Sequence, residues 1–289
     1  INLKGEIFNI PFTFDFNNRN DSNKYKEINF TSKPLQLNIS DKSTIEKKII
    51  SGENDISFLK STVNTQYNVK DKLITFKSGT SKLNSSQVNY NGELSINPFD
   101  LNFNIYLNDY RISKIFSVNP IFIEFIKSEL LFNENISVKT FISINSNIKN
   151  EIFNKAKINL HIINGKIHFD KTEFVNDDIG SLKFSNSNLF YKNNELVFNS
   201  DILVDIIDSE NLFSFLNTNK SSRKDLKTIL VNLDYNFLRN KIKFDNLKIN
   251  NIDVDSKFLK IIDSFNDNNL NNLNKSRRLL NELLGVYEG

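Results

Sequence analysis

Apolar and polar residues alternate along most of this chain, and the pattern is clearest between residues 87 and 107, on both sides of an Asn97-Pro98 step. A period of two places alternate side chains on opposite faces of a β-strand. Pro98 cannot donate a ladder hydrogen bond, so the break between two strands is predicted there. The stretch predicts an antiparallel hairpin whose apolar face carries Val88, Tyr90, Leu94, Ile96, Phe99, Leu101, Phe103, Ile105 and Leu107.

That apolar face has to be covered by something. Burying each of these side chains is worth about 1.5–3 kcal/mol. Their sum is comparable with the roughly 5–15 kcal/mol that stabilises a whole domain. A closed β-sandwich core and a groove that holds an apolar ligand both satisfy this demand, and the alternation by itself leaves the two open.

Strand-like runs recur at about ten-residue spacing with short polar turns, which favours an antiparallel meander over βαβ units. Pro34 predicts an edge or bulged strand where it falls, and a change of phase near Asn246 predicts a β-bulge. The predicted runs outside the hairpin are 1–16, 28–39, 49–58, 60–69, 73–78, 136–144, 158–163, 166–174, 182–191, 196–207, 229–237 and 242–249.

Helical spacing interrupts the strands in a few places. Asn119 as N-cap with Pro120 at the first helical position predicts a helix over 120–131. A short helix is predicted over 209–216, with Ser209 as its N-cap. The expected organisation is one β-rich region over 1–289, with a β meander (1–110), a helical insert (111–132), a second meander containing the short helix (136–255) and a helical tail interrupted by an Asn-rich stretch at 266–274 (256–289).

Three glycines, Gly5, Gly92 and Gly165, stand in similar contexts and hint at an internal repeat. Asn-Gly is typical of a two-residue hairpin turn. Glycine inside a strand is equally typical of a bend or of a close backbone approach. Both interpretations stay open for these positions.

Composition narrows the function classes. With 39% hydrophobic and 25% charged residues, the chain can bury a core. Its net charge is +3 and its Lys residues are scattered, so no nucleic-acid partner is predicted. The absence of Cys excludes disulfides and thiolate ligands, and no stretch is long and apolar enough to cross a bilayer. The absence of Met, with alternation already under way at Ile1, predicts a segment of a longer protein.

Few residues suggest chemistry. His161 and His168 are predicted to face each other on the polar side of adjacent strands, but a metal site needs further ligands at defined spacing. The acidic run from Asp201 to Glu210 lacks the order of a calcium loop. No nucleophile or phosphate-binding motif is present. The sequence therefore predicts a non-enzymatic protein with no catalytic residues, no metal and no cofactor.

Several phrases resemble the AsmA-like C-terminal region of bacterial envelope proteins. They are YNGELSINPFDLNFNIYL, INLHIINGKIHFDKTEF, GSLKFSNSNLFYKNNELVFNSDILVDI and the stretch from SENLFSFL to KFDNLKIN. The matching features are the G-x-I strand start, the PF turn, a helix followed by Arg-Lys, and a strand ending in Tyr-Asn-Phe. The likeness covers most of the chain from about Gly52 onward.

The resemblance implies long, curved antiparallel sheets that form a hydrophobic groove, similar to the bridge-like lipid-transfer proteins. It implies an inner-membrane-anchored protein of the cell envelope that faces the periplasm. Its expected activity is lipid transport: it would bind or conduct phospholipid between inner and outer membrane and so support outer-membrane biogenesis. The family's usual N-terminal membrane helix is absent from this sequence, so membrane anchoring rests on the resemblance alone. Phospholipid acyl chains are the expected ligand and other envelope proteins the expected partners.

On this interpretation the groove is lined by the nine hairpin residues together with an apolar set from the second half of the chain. The alternative is that both sets fill a closed sandwich core. Two other functions stay open: a scaffold or adaptor for outer-membrane protein assembly that acts through its sheet edge, and a hydrolytic β domain. The second-half groove residues are Ile158, Leu160, Ile162, Ile167, Phe169, Leu196, Phe198, Ile202, Val204, Val231, Leu233, Tyr235 and Phe237.

Overall fold

A computed structural model of the chain describes residues 1–7, 10–19, 25–84, 86–116, 130–149, 151–192, 195–239, 241–265 and 273–287. Within these residues the protein is mainly β, with 19 strands, three α-helices and three short 3₁₀ turns. Every strand pairing with a defined register is antiparallel, and most join neighbours in the chain. The predicted fold class, a mainly β meander with a few short helices and a helical tail, is confirmed.

The chain divides into two compact units. Unit 1 comprises Ile1–Tyr110 and Ser137–Ser143, and unit 2 comprises Arg111–Ile136 and Ile144–Gly289. Strand β11 (Ile136–Asn145) contributes residues to both. The other strands of unit 1 are β1 (Asn2–Ile7), β2 (Ile10–Arg19), β3 (Tyr25–Ser32), β4 (Leu37–Glu46), β5 (Ile49–Phe58), β6 (Ser61–Lys70), β7 (Leu73–Ser78), β8 (Ser81–Leu83), β9 (Ser86–Ile96) and β10 (Phe99–Asn108).

Unit 1 is a meander in which each strand from β1 to β7 pairs with the next along the chain. The short β8 pairs with both β6 and β9, while β7 also pairs with β9. The hairpin predicted at 87–107 is confirmed as β9 and β10, with Ile96 opposite Phe99 on either side of the Asn97-Pro98 turn.

Unit 2 combines the remaining strands with the helices. Its strands are β12 (Lys155–Ile163), β13 (Lys166–His168), β14 (Glu173–Asn176), β15 (Gly180–Lys192), β16 (Glu195–Ile206), β17 (Thr228–Asn236), β18 (Lys241–Ile249) and β19 (Ile252–Asp253). Its helices are α1 (Ser209–Leu216), α2 (Ser256–Phe265) and α3 (Leu273–Val286), and its 3₁₀ turns are Ile112–Phe116, Leu130–Phe132 and Lys220–Ser222.

The three α-helices cover one end of the unit 2 sheet. The hydrophobic cluster there joins all three helices to the ends of β16 and β18, and Phe213 at its centre is 1% exposed. Its buried members are Ile206, Phe213, Leu216, Leu226, Leu247, Ile249, Phe258, Ile262, Leu279, Leu283 and Leu284. This cluster is a conventional packed core, and the amphipathic helices supply most of it.

Some boundary predictions are wrong. Pro34 does not lie within a strand, because residues 33–36 form the turn between β3 and β4, closed by a hydrogen bond from Gln36 N to Lys33 O (3.0 Å). Proline favours such turns because its φ is already fixed. The run 1–16 is a hairpin, β1 with β2, rather than one strand. The N-cap of α1 is Asp208, not Ser209, since its carboxylate accepts from Asn211 N (3.0 Å).

Other local predictions are confirmed or fall outside the described residues. A β-bulge interrupts the β17–β18 register between Leu230 and Asn232, where Asn246 takes a positive φ of 51°. The predicted helix over 120–131, with Asn119 and Pro120, lies almost entirely outside the described residues, as does most of the Asn-rich interruption at 266–274.

The glycines divide between the two predicted roles. Asn164 and Gly165 have φ values of 50° and 68° and form the two-residue turn between β12 and β13, the geometry that Asn-Gly favours. Gly5 and Gly92 instead lie inside β1 and β9, where each pairs with a residue of the neighbouring strand.

The helical core of unit 2 makes a direct stability prediction. Replacing Ile262 of α2, which is 4% exposed, with Ala should lower the free energy of unfolding by about 2–5 kcal/mol, because it leaves a cavity in the cluster. Leu259→Ala on the same helix removes a side chain that is 41% exposed and should change stability by no more than about 0.5 kcal/mol. Urea denaturation followed by circular dichroism measures both, and equal effects would contradict the assigned core.

Candidate functional site

The strand registers of unit 1 place its apolar side chains on one face of the sheet. Residues opposite each other in an antiparallel pair point to the same face. Two cross-strand rows result, each running over six strands. They are Leu3, Phe14, Phe30, Ile39, Ile56 and Val63, and Ile45, Ile50, Val69, Ile74, Leu94 and Leu101. We refer to the side of β1–β10 that carries these rows as the apolar face.

The opposite face of the same strands is polar. The row of residues directly beside the first apolar row consists of Lys4, Thr13, Thr31, Asn38, Ser57 and Thr62. Side-chain hydrogen bonds connect this face, including Asn64 Nδ2 to Asp55 Oδ1 at 2.6 Å. The polar face of the sheet is therefore compatible with solvent, whereas exposing the apolar face to solvent is unfavourable.

The apolar face is not filled by a packed layer in the described part of the chain. Among its apolar side chains that the structure describes, Leu107 is buried at 8% exposure, and the others are half-buried or exposed. Ile96 remains 56% exposed and Leu3 54%. Large contiguous apolar surfaces are typical of interaction sites, which makes the apolar face the candidate site.

The nine predicted groove residues of β9 and β10 all lie on this face. The register pairs Val88 with Leu107, Tyr90 with Ile105, Leu94 with Leu101 and Ile96 with Phe99, while Phe103 lies opposite Gly92. Phe103 contacts Phe76 and Tyr90, with ring centroids 5.6 and 5.8 Å apart. The pattern of β9 and β10 therefore places all nine on one surface.

The thirteen predicted residues from unit 2 divide into three groups. Ile158, Ile162, Ile167, Leu196, Phe198 and Ile202 are buried, at 1–9% exposure. Val204 and Val231 pack against the helical cluster. Leu160, Phe169, Leu233, Tyr235 and Phe237 are half-buried. The first group fills core and the second borders the helical cluster, so in the described part of unit 2 the third group comprises the half-buried predicted residues that do not pack against that cluster.

Three glycines on the apolar face of unit 1 lie directly beneath aromatic rings of neighbouring strands. A Cβ built on Gly5 would come within 2.9 Å of the Phe12 ring, and one on Gly92 within 2.5 Å of the Phe76 ring. A Cβ on Gly52 would overlap Cζ of Tyr67. Any larger residue at these positions would displace the ring, because the ring occupies the space of the missing side chain.

The contact at Gly52 brings two polar side chains, Tyr67 and Asp41, together on the apolar face. The Tyr67 ring crosses β5 over Gly52, and its hydroxyl donates to both carboxylate oxygens of Asp41 on β4, at 2.9 Å each. Burial, together with the hydrogen bond to the Asp41 carboxylate and its charge, raises the pKa of Tyr67 to about 12. The phenol therefore stays protonated, and remains a donor to Asp41, across the physiological pH range.

Asp41 and Tyr67 are not among the site residues predicted from the sequence. A signal was present, because Asp41 stands at an apolar position of the β4 alternation, between Ile39 and Ile45. A carboxylate in that phase costs free energy unless it has a partner. Its partner, Tyr67, is 26 residues away, and only the pairing of three strands brings the two together.

The residues that suggested other chemistry have ordinary structural roles. His161 and His168 do face each other across β12 and β13, and His168 Nδ1 lies 2.8 Å from Ser187 O. Asp201 accepts hydrogen bonds from Asn186 and Asn232. Within the described ranges, no three His, Asp or Glu side chains come together as a metal site would require.

Comparisons with protein-family models, with curated proteins and with solved structures found no match to this chain. None of the helices that the structure describes has the length and apolar character needed to cross a membrane. The candidate site therefore rests on the geometry of the apolar face itself.

The pair formed by Tyr67 and Asp41 predicts one late-titrating tyrosine. In an ultraviolet titration, the difference between wild type and Tyr67→Phe should have a midpoint near pH 12, above the ordinary tyrosine pKa of 10.0. Because the folded pKa is the higher one, the proton on Tyr67 stabilises the fold below pH 10, and this contribution is lost as the pH rises toward 12.

Gly52→Ala serves as the second variant of this titration. The added Cβ would overlap the Tyr67 ring and move its hydroxyl away from Asp41, so the pKa of Tyr67 should fall toward 10.0. Gly285→Ala, where a Cβ meets nothing within 4 Å, is the matched control. A Tyr67 midpoint that does not move in Gly52→Ala would contradict the assigned contact.

Proposed function

We propose that this chain binds phospholipid acyl chains on the apolar face of unit 1 and acts as a lipid-binding or lipid-conducting module without catalysis. The observation that carries the proposal is the combination of two six-strand apolar rows with side chains that are half-buried or exposed. A face of this kind favours an occupant that is apolar and elongated.

The dimensions of the rows suit an acyl chain. Neighbouring strands lie about 4.8 Å apart, so a row over six strands is roughly 24 Å long. One leaflet of a bilayer has a hydrocarbon depth of about 15 Å. A lipid tail can therefore lie across the strands along one row, with apolar side chains beneath its whole length.

Burial energetics point the same way. Covering apolar surface is worth about 25 cal/mol per Å², and the described residues of unit 1 leave much of that free energy unused on this face. Acyl chains would recover it without a second protein layer. The curvature that glycine and aromatic pairs permit at Gly5, Gly52 and Gly92 would help the sheet to wrap around such chains.

The cellular setting of the proposal comes from the resemblance to the AsmA-like region. In that setting the chain would belong to an inner-membrane-anchored envelope protein and would pass phospholipid through the periplasm between inner and outer membrane. Outer-membrane biogenesis would depend on that flow. The apolar face is compatible with this role, and the lipid chemistry can be tested separately from the location.

The primary test is mass spectrometry of organic extracts from the 289-residue chain, purified from bacteria without detergent. Phospholipid in near-stoichiometric amounts is the expected result, since an apolar face open to solvent should retain lipid acquired in the cell. A folded protein that is reproducibly free of lipid would contradict the proposal and would favour a scaffold that pairs its sheet edge with a partner.

A matched pair of variants on β10 locates the binding surface. Ile105→Arg places a charge on the apolar face and should lower the amount of co-purified lipid severalfold, because acyl chains do not cover an unpaired charge. Asn104→Arg places the same charge one residue away, on the polar face, and should leave lipid content unchanged. Circular dichroism melts check that both variants fold, and equal lipid contents in two folded variants would exclude this face.

A further inference from the structure

The apolar face of unit 1 contains an island of polar side chains. Asp41 on β4, Asn54 on β5 and Thr65 on β6 are consecutive cross-strand partners, and Ser43 and Tyr67 stand in the next row. We call these five residues the polar island. Asp41, Asn54, Thr65 and Tyr67 are half-buried and Ser43 is buried, so the island is part of the surface that acyl chains would contact.

Apolar rows enclose the island on both sides along the strands. Ile39, Ile56 and Val63 follow it in one direction, and Ile45, Ile50 and Val69 follow it in the other. Since successive same-face residues of a strand are about 6.6 Å apart, the island is a few side chains wide. Polar side chains in such a small area do not favour contact with a lipid tail. The area they cover matches the size of a polar headgroup.

The one charge of the island, on Asp41, has no oppositely charged partner among the described residues. Asp41 forms no ion pair with any residue that the structure describes, and its carboxylate accepts from Tyr67 alone. Lys26 lies on the same face, paired in register with Ser43 and therefore diagonal to Asp41. Lys26 likewise forms no ion pair within the described residues, and it is exposed. One negative and one positive group thus stand side by side without neutralising each other.

The hydrogen-bond acceptors of Asp41 and its neighbour Asn54 favour a ligand group that has several N–H donors. The Asp41 carboxylate is held in place by the Tyr67 hydroxyl, which reaches it only because Gly52 leaves room for the ring. Asn54 lies directly opposite Asp41 in the register, and its side-chain amide makes no hydrogen bond with another described side chain, so its carbonyl oxygen can accept from a ligand. A primary ammonium has three N–H donors and carries the complementary charge.

From this arrangement we infer that the polar island binds the zwitterionic headgroup of an ethanolamine-type phospholipid, with its ammonium at Asp41 and Asn54 and its phosphate at Lys26. The inference rests on the proposed function, because the tails of the same lipid would lie on the adjoining apolar rows. A choline headgroup has no N–H donor for these acceptors, and a headgroup of net negative charge would be repelled by Asp41.

In the test, the 289-residue chain is incubated with vesicles that contain equal parts of phosphatidylethanolamine, phosphatidylcholine and phosphatidylglycerol. The protein is separated from the vesicles, and its bound lipid is extracted and counted by mass spectrometry. Phosphatidylethanolamine should be enriched by about tenfold over each of the others, the factor expected for one charge-assisted hydrogen-bonded contact. In Asp41→Asn, which keeps the shape and an acceptor for Tyr67, the bound lipid should return to the vesicle ratio while its total amount is unchanged.

Two further variants make the result specific. Asp55→Asn removes one negative charge from the polar face of β5 and should keep the enrichment. Asn54→Leu removes the neutral acceptor and should lower the enrichment even if Asp41→Asn proves too unstable to purify. Circular dichroism confirms that each variant folds before its lipid is counted.

The outcomes separate the two proposals. Lipid bound by wild type in the vesicle ratio would overturn the headgroup site and leave acyl-chain binding standing. Enrichment that persists in both Asp41→Asn and Asn54→Leu would also overturn the site, as would a preference for phosphatidylglycerol or phosphatidylcholine. A wild-type chain that binds no lipid would overturn both proposals.

Discussion

The constraint on which this structure depends is the one-sidedness of its β-strands. Alternating side chains and antiparallel pairings without an internal register shift put nearly every apolar residue of unit 1 on the same surface. A shift of one residue at any pairing would move a whole strand's apolar set to the wrong side. The short turns between strands, such as the one around Pro34, keep that register fixed.

The two units meet this constraint in different ways. In unit 2, α1, α2 and α3 bring leucine and phenylalanine side chains onto the sheet, and the residues beneath them are buried like any core. In unit 1 the described residues provide no comparable layer, and its apolar side chains keep part of their surface in solvent. The same alternation therefore yields a packed core in one place and an available binding surface in the other.

Glycine has an unusual part in shaping that surface. At Gly52 the missing side chain lets the Tyr67 ring lie across a neighbouring strand and reach Asp41. The cost of placing a carboxylate in an apolar setting is partly offset by this hydrogen bond. The site thus depends on a residue with no functional group, and its substitution would act on Asp41 only through the displaced ring.

Local physics explains what the sequence by itself determined. The effects of alternation, glycine and proline extend over only a few residues. The hairpin of β9 and β10, the Asn164-Gly165 turn and the bulge at Asn246 could therefore be predicted from the local sequence of those segments. The N-cap prediction was wrong because two neighbouring residues can fill the same role. Asp208 and Ser209 are both good N-caps, and only the backbone angles of the folded chain assign the role to Asp208.

Burial and partnership were decided by the tertiary structure alone. Ile167 and Phe103 both stand at apolar positions of an alternating sequence, yet Ile167 is 1% exposed and Phe103 is half-buried, because burial depends on what packs above a side chain. The contact of Asp41 with Tyr67 was likewise invisible in the sequence, since it needs two strand pairings and a glycine between them. A strand's own residues determine its two faces, while distant residues determine whether a face becomes core or binding surface.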